Sequence, residues 1–211
     1  MRLVLLSDTH HLHDRMTPPP AGDVIVHAGD VSGSGTLEEI AEFFRWFGAL
    51  PHRHKVVIAG NHDFAFERQP EAAEALVPDG VTYLRDSAVT IEGIKLWGSP
   101  WQPWFFDWAF NLQRGPEIAR KWDLIPDDTQ VLVTHGPPQG VLDETSRKPP
   151  QSVGCEALSE RIAALPLLKL HVFGHIHEAY GTRVRDGCTF VNASICDVRY
   201  SPVNSPVTLD L

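Results

Sequence analysis

Short runs rich in Val, Ile and Leu recur along the chain at Leu3 to Leu6, Val24 to Val26, Val56 to Ile58, Val131 to Val133 and Leu170 to Phe173. They read as strands buried on both faces, which in soluble proteins belong to sheets covered by other layers. Between the second and third, Leu37, Ile40, Phe43, Phe44 and Phe47 recur at three- and four-residue spacing behind Thr36, a residue suited to capping a helix. A helical crossover between buried strands is a βαβ unit, so the chain is expected to be an α/β protein. Further helices are expected around Glu71 to Val77, Pro116 to Leu124 and Cys155 to Leu165. The pieces Val81 to Leu84, Ala88 to Ile91 and Ile94 to Trp97 read as strands joined by tight connections, with Glu92-Gly93 as a hairpin turn. Strands and turns are expected again from Gly181 to Leu211.

The chain of 211 residues shows no internal repeat and no dividing linker, so residues 1–211 are read as a single domain. The proline runs Pro18 to Pro20 and Pro149-Pro150 read as loop stiffeners. Charge narrows the partners: 18 basic against 27 acidic residues give a net charge of -9, which repels long polyanions, so no standing nucleic-acid partner is expected. No apolar run exceeds the four residues of Leu3 to Leu6, Val56 to Ala59 or Ile162 to Leu165. A membrane span needs roughly 20, so no membrane partner is expected, and Asp8 interrupts the N-terminal run before a signal sequence could develop. Cys155, Cys188 and Cys196 form no Cys-x-x-Cys pair, which points to a reducing, cytoplasmic setting. Asn192-Ala193-Ser194 matches a glycosylation acceptor, a pattern that matters only in a secreted protein.

The residues directly after each buried run carry the chemistry. Asp8-Thr9-His10 comes after the first, Gly29-Asp30 after the second, Gly60-Asn61-His62-Asp63 after the third, His135-Gly136 after the fourth and Gly174-His175-Ile176-His177 after the fifth. Loops beyond the carboxyl ends of such strands converge on one crevice. Each segment alone is weak, since Asp and Asn are ordinary turn formers. Yet five of the 11 histidines (His10, His62, His135, His175 and His177) fall directly after strands, which packing does not explain. His27 and His171 lie inside strands and read as core or edge residues, His52 and His54 flank a turn, and His11 and His13 are open. Carboxylate, carboxamide and imidazole without thiolate suit Mn, Fe, Co, Ni or Zn rather than Mg or Ca alone. Seven candidate ligands (Asp8, His10, Asp30, Asn61, His135, His175 and His177) exceed what one tetrahedral ion needs. Two divalent ions sharing a bridging carboxylate account for that number.

The ordered motifs Asp-x-His, Gly-Asp, Gly-Asn-His-Asp, Thr-His-Gly and Gly-His-x-His resemble those of the calcineurin-like metallophosphoesterases, from Asp8 to His177. The resemblance implies a layered sandwich of two mixed β-sheets flanked by helices. It also implies one ion on Asp8, His10, Asp30 and His177 and another on Asp30, Asn61, His135 and His175, with Asp30 bridging. His62 would stand beside the phosphate as a catalytic residue, supported by Asp63. The strings Ser7 to His11, Thr134 to Pro138 and Phe173 to Glu178 are similar to a small-domain branch that includes cyclic-nucleotide phosphodiesterases. Protein phosphatases of the family follow Gly-Asp with a second Asp and a phosphate-gripping Arg, whereas this chain runs Gly29-Asp30-Val31-Ser32-Gly33. A phosphodiester, with its single negative charge, asks for less neutralisation than a monoester.

The expected activity is therefore hydrolysis of phosphodiesters, cyclic nucleotides among them, by hydroxide held on the metal pair, with Mn the metal expected to serve in assay. Two alternatives stay open: a phosphomonoesterase or nuclease of the same fold, and a nucleotide- or metal-binding regulatory protein with vestigial activity. The segment Trp97 to Trp108 holds four of the six Trp. Pro100 and Pro103 oppose a continuous helix there, so a strand, a loop and then a short helix are expected. Those rings suit core packing, a homodimer interface, or a platform for a nucleobase at the mouth of the site.

Overall fold

A computed structural model describes residues 1–211. In chain order the elements are β1 (Arg2–Leu6), β2 (Val24–Ala28), α1 (Leu37–Ala49), β3 (His54–Ile58), α2 (Phe64–Arg68), α3 (Pro70–Glu74), β4 (Val81–Tyr83), β5 (Ser87–Ile91) and β6 (Ile94–Ser99). They continue with β7 (Gln102–Pro103), β8 (Asn111–Leu112), α4 (Pro116–Trp122), β9 (Val131–Thr134), α5 (Glu156–Ala163), β10 (Leu170–Phe173), β11 (Gly181–Arg185), β12 (Cys188–Asn192) and β13 (Val207–Asp210). One sheet has the order β13-β1-β2-β3-β4 and the other β11-β12-β10-β9-β6-β5. Both are mixed: β13 on the first sheet, and β5 and β11 on the second, pair antiparallel with otherwise parallel strands.

The apolar runs are continuous because their strands are covered on both sides, and successive side chains point to opposite faces. Leu3, Leu5, Val24 and Val26 of the first sheet share one buried cluster with Val131, Val133, Leu170 and Val172 of the second. The two sheets therefore pack face to face. Val4, Leu6 and Ile25 point the other way, against Ile40, Phe43 and Phe47 of α1. On the opposite outer face Trp97 and Leu132 meet Ile118 and Trp122 of α4 and Leu158 of α5. The result is the expected α/β sandwich of two mixed sheets flanked by helices. Thr36 caps α1 by accepting the N–H of Glu39 at 3.2 Å, and the Ile40, Phe43, Phe44 and Phe47 stripe is buried. No helix is long and apolar enough to cross a membrane.

The sequence expectations need two corrections. Val81–Tyr83 and Ser87–Ile91 are consecutive strands but lie in different sheets: β4 pairs parallel with β3, and β5 pairs antiparallel with β6. Of these three strands only β5 and β6 form a hairpin, through Glu92-Gly93, with φ of +49° and +82° as a two-residue mirror-image turn requires. The Trp-rich segment also forms no short helix. Instead β7 and β8 pair parallel around a loop from Trp104 to Phe110. Pro103 occupies a ladder position while Gln102 and Trp104 make the backbone donations, to Phe110 O at 3.1 Å and Leu112 O at 2.8 Å.

Candidate active site

The carboxyl ends of β1, β2, β3, β9, β10 and β12 meet at one edge of the sandwich, and backbone hydrogen bonds join their extensions. Ser7 N–H donates to Ala193 O (2.9 Å), Asp8 N–H to Gly29 O (2.9 Å), His10 N–H to Asp30 O (3.0 Å) and Gly174 N–H to His135 O (2.9 Å). The chain thereby ties the two sheets together where the candidate ligands emerge. Asp8, His10, Asp30 and His175 all sit in the left-handed backbone region, with φ of +53°, +43°, +56° and +67°. Such conformations cost a non-glycine residue on the order of 1–2 kcal/mol and persist only where surroundings impose them. Four of the seven candidate ligands are held this way. Two glycines let the backbones approach: a Cβ on Gly60 would lie 2.5 Å from Asp30 N, and one on Gly174 would strike the Asp8 carboxylate.

Three groups of donor atoms lie within 4.8 Å of one another: Asp8 with His10 and His177, His10 with Asp30 and His62, and Asp8 with Asp30 and His135. His10 Nε2 and His177 Nε2 are 3.2 Å apart, and His177 Nε2 is 3.2 Å from Asp8 Oδ1. Asn61 Oδ1 lies 2.8 Å from His135 Nε2, which is 3.4 Å from Asp30 Oδ2. The His175 ring stands 5.1 Å from that of His135, centroid to centroid, while the His175 backbone N–H donates to Asp8 Oδ1. All seven candidate ligands are thus gathered, with His175 at the margin. Buried His10 Nδ1 and Asn61 Nδ2 have no hydrogen-bond partner.

Electrostatics match this donor set to a cation. Asp8 and Asp30 are 0% and 2% exposed. Burial would raise the Asp8 carboxyl, yet the hydrogen bond and charge of His177 hold it well below the usual range. Burial likewise opposes ionisation of Asp30, and the charges of His135 and His62 overcome it. Reciprocally, His135 and His177 overcome burial and are pushed up to about 9, by Asp30 and by Asp8 respectively. His10 falls to about 4 and His175 to about 3, mainly through burial. Two ionised carboxylates inside a protein demand positive charge. Imidazole, carboxamide and carboxylate oxygen converging on them suit a borderline divalent ion, so the residues fit a metal centre.

His62 and Asp63 separate in role. His62 Nδ1 donates to the carbonyl oxygen of Gly33 at 2.8 Å, and its backbone N–H donates to Asp30 Oδ1 at 2.8 Å. The expected support of His62 by Asp63 is not what the structure places there. Asp63 is buried and accepts from Val31 N (3.2 Å), Ser32 N (2.9 Å), Ser32 Oγ (2.5 Å) and Gly60 N (2.8 Å). Its carboxyl is pushed up by burial and by the charge of Asp30. The reason is position: Asp63 opens α2 facing inward and cross-links the loops after β2 and β3.

Asn192, Ser194 and Tyr200 escaped the sequence reading, whereas Trp108 belongs to the segment it offered as a platform at the mouth of the site. Ser194 Oγ lies 2.9 Å from Asp8 Oδ2, and Asn192 donates to Ile176 O at 2.8 Å. Asn192-Ala193-Ser194 is therefore a buried sixth strand end, closed to a glycan; the strand-end signal that found the other five applied here too. Tyr200 packs 4.7 Å from the ring of His10, and Trp108 4.2 Å from that of His62. Neither stands beside a motif. His27 and His171 are buried in strands as expected, bonded to Thr9 and Thr134, while His11 pairs with Glu42 on α1.

Comparison with known proteins agrees with this geometry. Residues 1–179 match the model of the calcineurin-like phosphoesterase family. The chain is 43% identical to the human and mouse proteins named metallophosphoesterase domain-containing protein 1, matching all of this chain and 71% of theirs. It is 35% identical to a UPF0046 protein of Caenorhabditis elegans, over all of this chain and 81% of that one. The solved structure of TT1561 from Thermus thermophilus shares the fold at a TM-score of 0.57 and 12% identity, covering 90% of this chain and 88% of that chain. A family match across most of the chain, over a site where its strand-end motifs converge, has one meaning: this chain belongs to the calcineurin-like phosphoesterases.

Proposed function

We propose that the chain hydrolyses phosphodiesters, small nucleotides among them, using two divalent transition-metal ions. Asp8, His10, Asp30 and His177 would hold one ion, and Asp30, Asn61, His135 and His175 the other. The observation that carries this reading is the convergence of Asp8, His10, His135 and His177 with Asp30, joined by Asn61 and His175 beside His135, with His62 next to them but committed through Nδ1 to Gly33. When bound, such a pair supplies Lewis acidity toward phosphoryl oxygens and lowers the pKa of water toward ~7.

The chain's own groups do the rest. Asp30 Oδ1 accepts the His62 backbone N–H, so the residue at the centre of the donor set also fixes the imidazole that faces the substrate. The carbonyl of Gly33 can only accept, so Nδ1 keeps its hydrogen, and the proton for the departing oxygen would be carried on Nε2, which lies 3.5 Å from the Tyr200 hydroxyl. Ser194 orients Asp8 from behind. Preference for a diester is supported by the loop after Asp30. Val31 and Ser32 turn their N–H groups to Asp63, and no cation from that loop faces the phosphoryl group. We place this activity in one domain in a reducing, cytoplasmic setting, consistent with three free, buried cysteines, with Mn as the metal for assay.

The test is turnover of mono- and diesters by apoprotein reconstituted with Mn, Fe, Co, Ni or Zn. Diester preference with two ions bound per chain is expected. Comparable efficiency on phosphoserine or phosphotyrosine peptides would count against the diester reading.

A further inference from the structure

Asp30, His175 and His177 of the donor set, with His62, line a cleft of about 580 Å³ that both aromatic and cationic side chains also enclose. Trp104, Phe105 and Trp108 line it, and so does Arg147. The aromatic loop is not loose. Ala109 N–H donates to Asn61 O (3.1 Å), Gln102 Nε2 to Ala109 O (2.7 Å), Asn111 Nδ2 to Phe106 O (2.9 Å) and Phe110 N–H to Glu67 (2.7 Å), while the Phe110 ring is buried as an anchor. Yet this well-fixed loop leaves Trp104 54% and Phe105 44% exposed. Fixed, exposed aromatic faces continuous with a catalytic cleft are what a stacking surface needs. Trp108 joins that surface to the reacting centre through its edge contact with His62.

Arg147 rides on a braced flap. Glu144 bridges Ser152, Thr145 N–H donates to Gln151 O (2.9 Å), and the Asp143 carboxylate accepts from Gly140 N and Gly154 N (both 3.0 Å) and from Ser152. Ser146 N–H, donating to Glu178 at 2.7 Å, pins the flap to the turn just after His177. Two arginines line the cleft, but Arg114 spends its guanidinium on Val153 O, Gly154 O and Glu156. Arg147 makes a single long contact, 3.4 Å to Gln151, leaving most of its five N–H donors unused.

We infer that Trp104 and Arg147 form a specificity subsite for the part of the diester that is not displaced, a flat heteroaromatic ring with acceptor atoms on its edge, as in a nucleobase. Trp104 offers the stacking face and Arg147 the donors that read the ring edge. This rests on the diester reading above and adds to it which substituent is selected.

The experiment compares two diesters with the same nitrophenolate leaving group, methyl 4-nitrophenyl phosphate and thymidine 5′-(4-nitrophenyl phosphate), on the Mn-loaded protein. A second readout is quenching of tryptophan fluorescence by thymidine 5′-monophosphate on the metal-free chain. The nucleoside ester should be favoured in kcat/KM by at least about tenfold, the factor corresponding to about 1.4 kcal/mol. Trp104→Ala and Arg147→Gln should each collapse that ratio, chiefly through KM, and Trp104→Ala should weaken the quenching. Equal kcat/KM for the two esters would overturn the subsite while leaving diester hydrolysis intact. An equal loss on both esters in Arg147→Gln would overturn its assignment by making it a phosphoryl clamp. Hydrolysis of neither ester, with quenching still dependent on Trp104, would uphold the subsite and reject the diester reading instead.

Discussion

The His62 imidazole donates from Nδ1 to the carbonyl oxygen of Gly33 at 2.8 Å, and so it is held by the loop after β2 and not by the carboxylate next to it in sequence. A backbone carbonyl fixes the tautomer without adding a negative charge. His62→Ala should therefore slow a diester with an alkoxide leaving group by about 100-fold or more, and a nitrophenyl diester much less, because nitrophenolate departs without a proton. Kinetics on both esters, with metal content measured in parallel, check this. Loss of an ion would make His62 a ligand, a role its closeness to His10 and Asp30 also allows.

Asp63 should behave differently. Its carboxylate serves three backbone N–H groups and a hydroxyl, and unsatisfied buried donors cost about 1–3 kcal/mol each. Asp63→Ala is expected to lower stability by at least about 2 kcal/mol in urea unfolding and to depress turnover of every ester alike. A leaving-group-dependent loss would return Asp63 to the proton-transfer role.

Gly174→Ala should abolish metal uptake with little change in secondary structure. The added methyl meets the Asp8 carboxylate and, 2.7 Å away, the Ser7 Cβ. Calorimetric titration with Mn reads the outcome, and wild-type affinity would show that β10 can shift aside.

Asp30→Asn is expected to be the most damaging ligand change, lowering activity at least about 100-fold, more than outer contacts do. Its Oδ2 lies 3.7 Å from His10 Nε2 and 3.4 Å from His135 Nε2, so one substitution disturbs both halves of the site. Metal analysis should give two ions per wild-type chain and fewer in the variant, and chelator should remove activity.

His171 lies inside β10 away from these contacts, and burial pushes its imidazole down to about 3. Below pH 6.5 the unfolded chain takes up a proton that the folded chain refuses, so stability falls as pH falls from about 6.5 toward 3. From pH 7 to pH 5 this group should cost about 2 kcal/mol. Urea unfolding of wild type and His171→Gln at both values checks it: the variant should lose less stability over that interval.

The α/β class and the metal-binding character were legible because both rest on local pattern, whereas the two-sheet sandwich followed from the resemblance of the motifs. Runs such as Val131 to Val133 must be doubly buried, and Asp8, Asp30, Asn61, His135 and His175 each come within a few residues of the end of such a run, where parallel strands deliver their loops to one edge. Arrangement across space was not legible. Nothing adjacent in sequence marks Gly33 O as the partner of His62, Asp63 as a cross-link between loops, or Ser194 as the support of Asp8 from 186 positions away. The Trp-rich segment shows the same limit. Its prolines excluded a continuous helix, but whether its rings would be buried or turned outward was decided by the Phe110 anchor and the hydrogen bonds to Asn61 and Glu67. Periodicity records which residues leave water. Only packing between distant segments decides which polar atoms meet once they have done so, because hydrogen bonds act over about 3 Å and sequence separation does not restrict them.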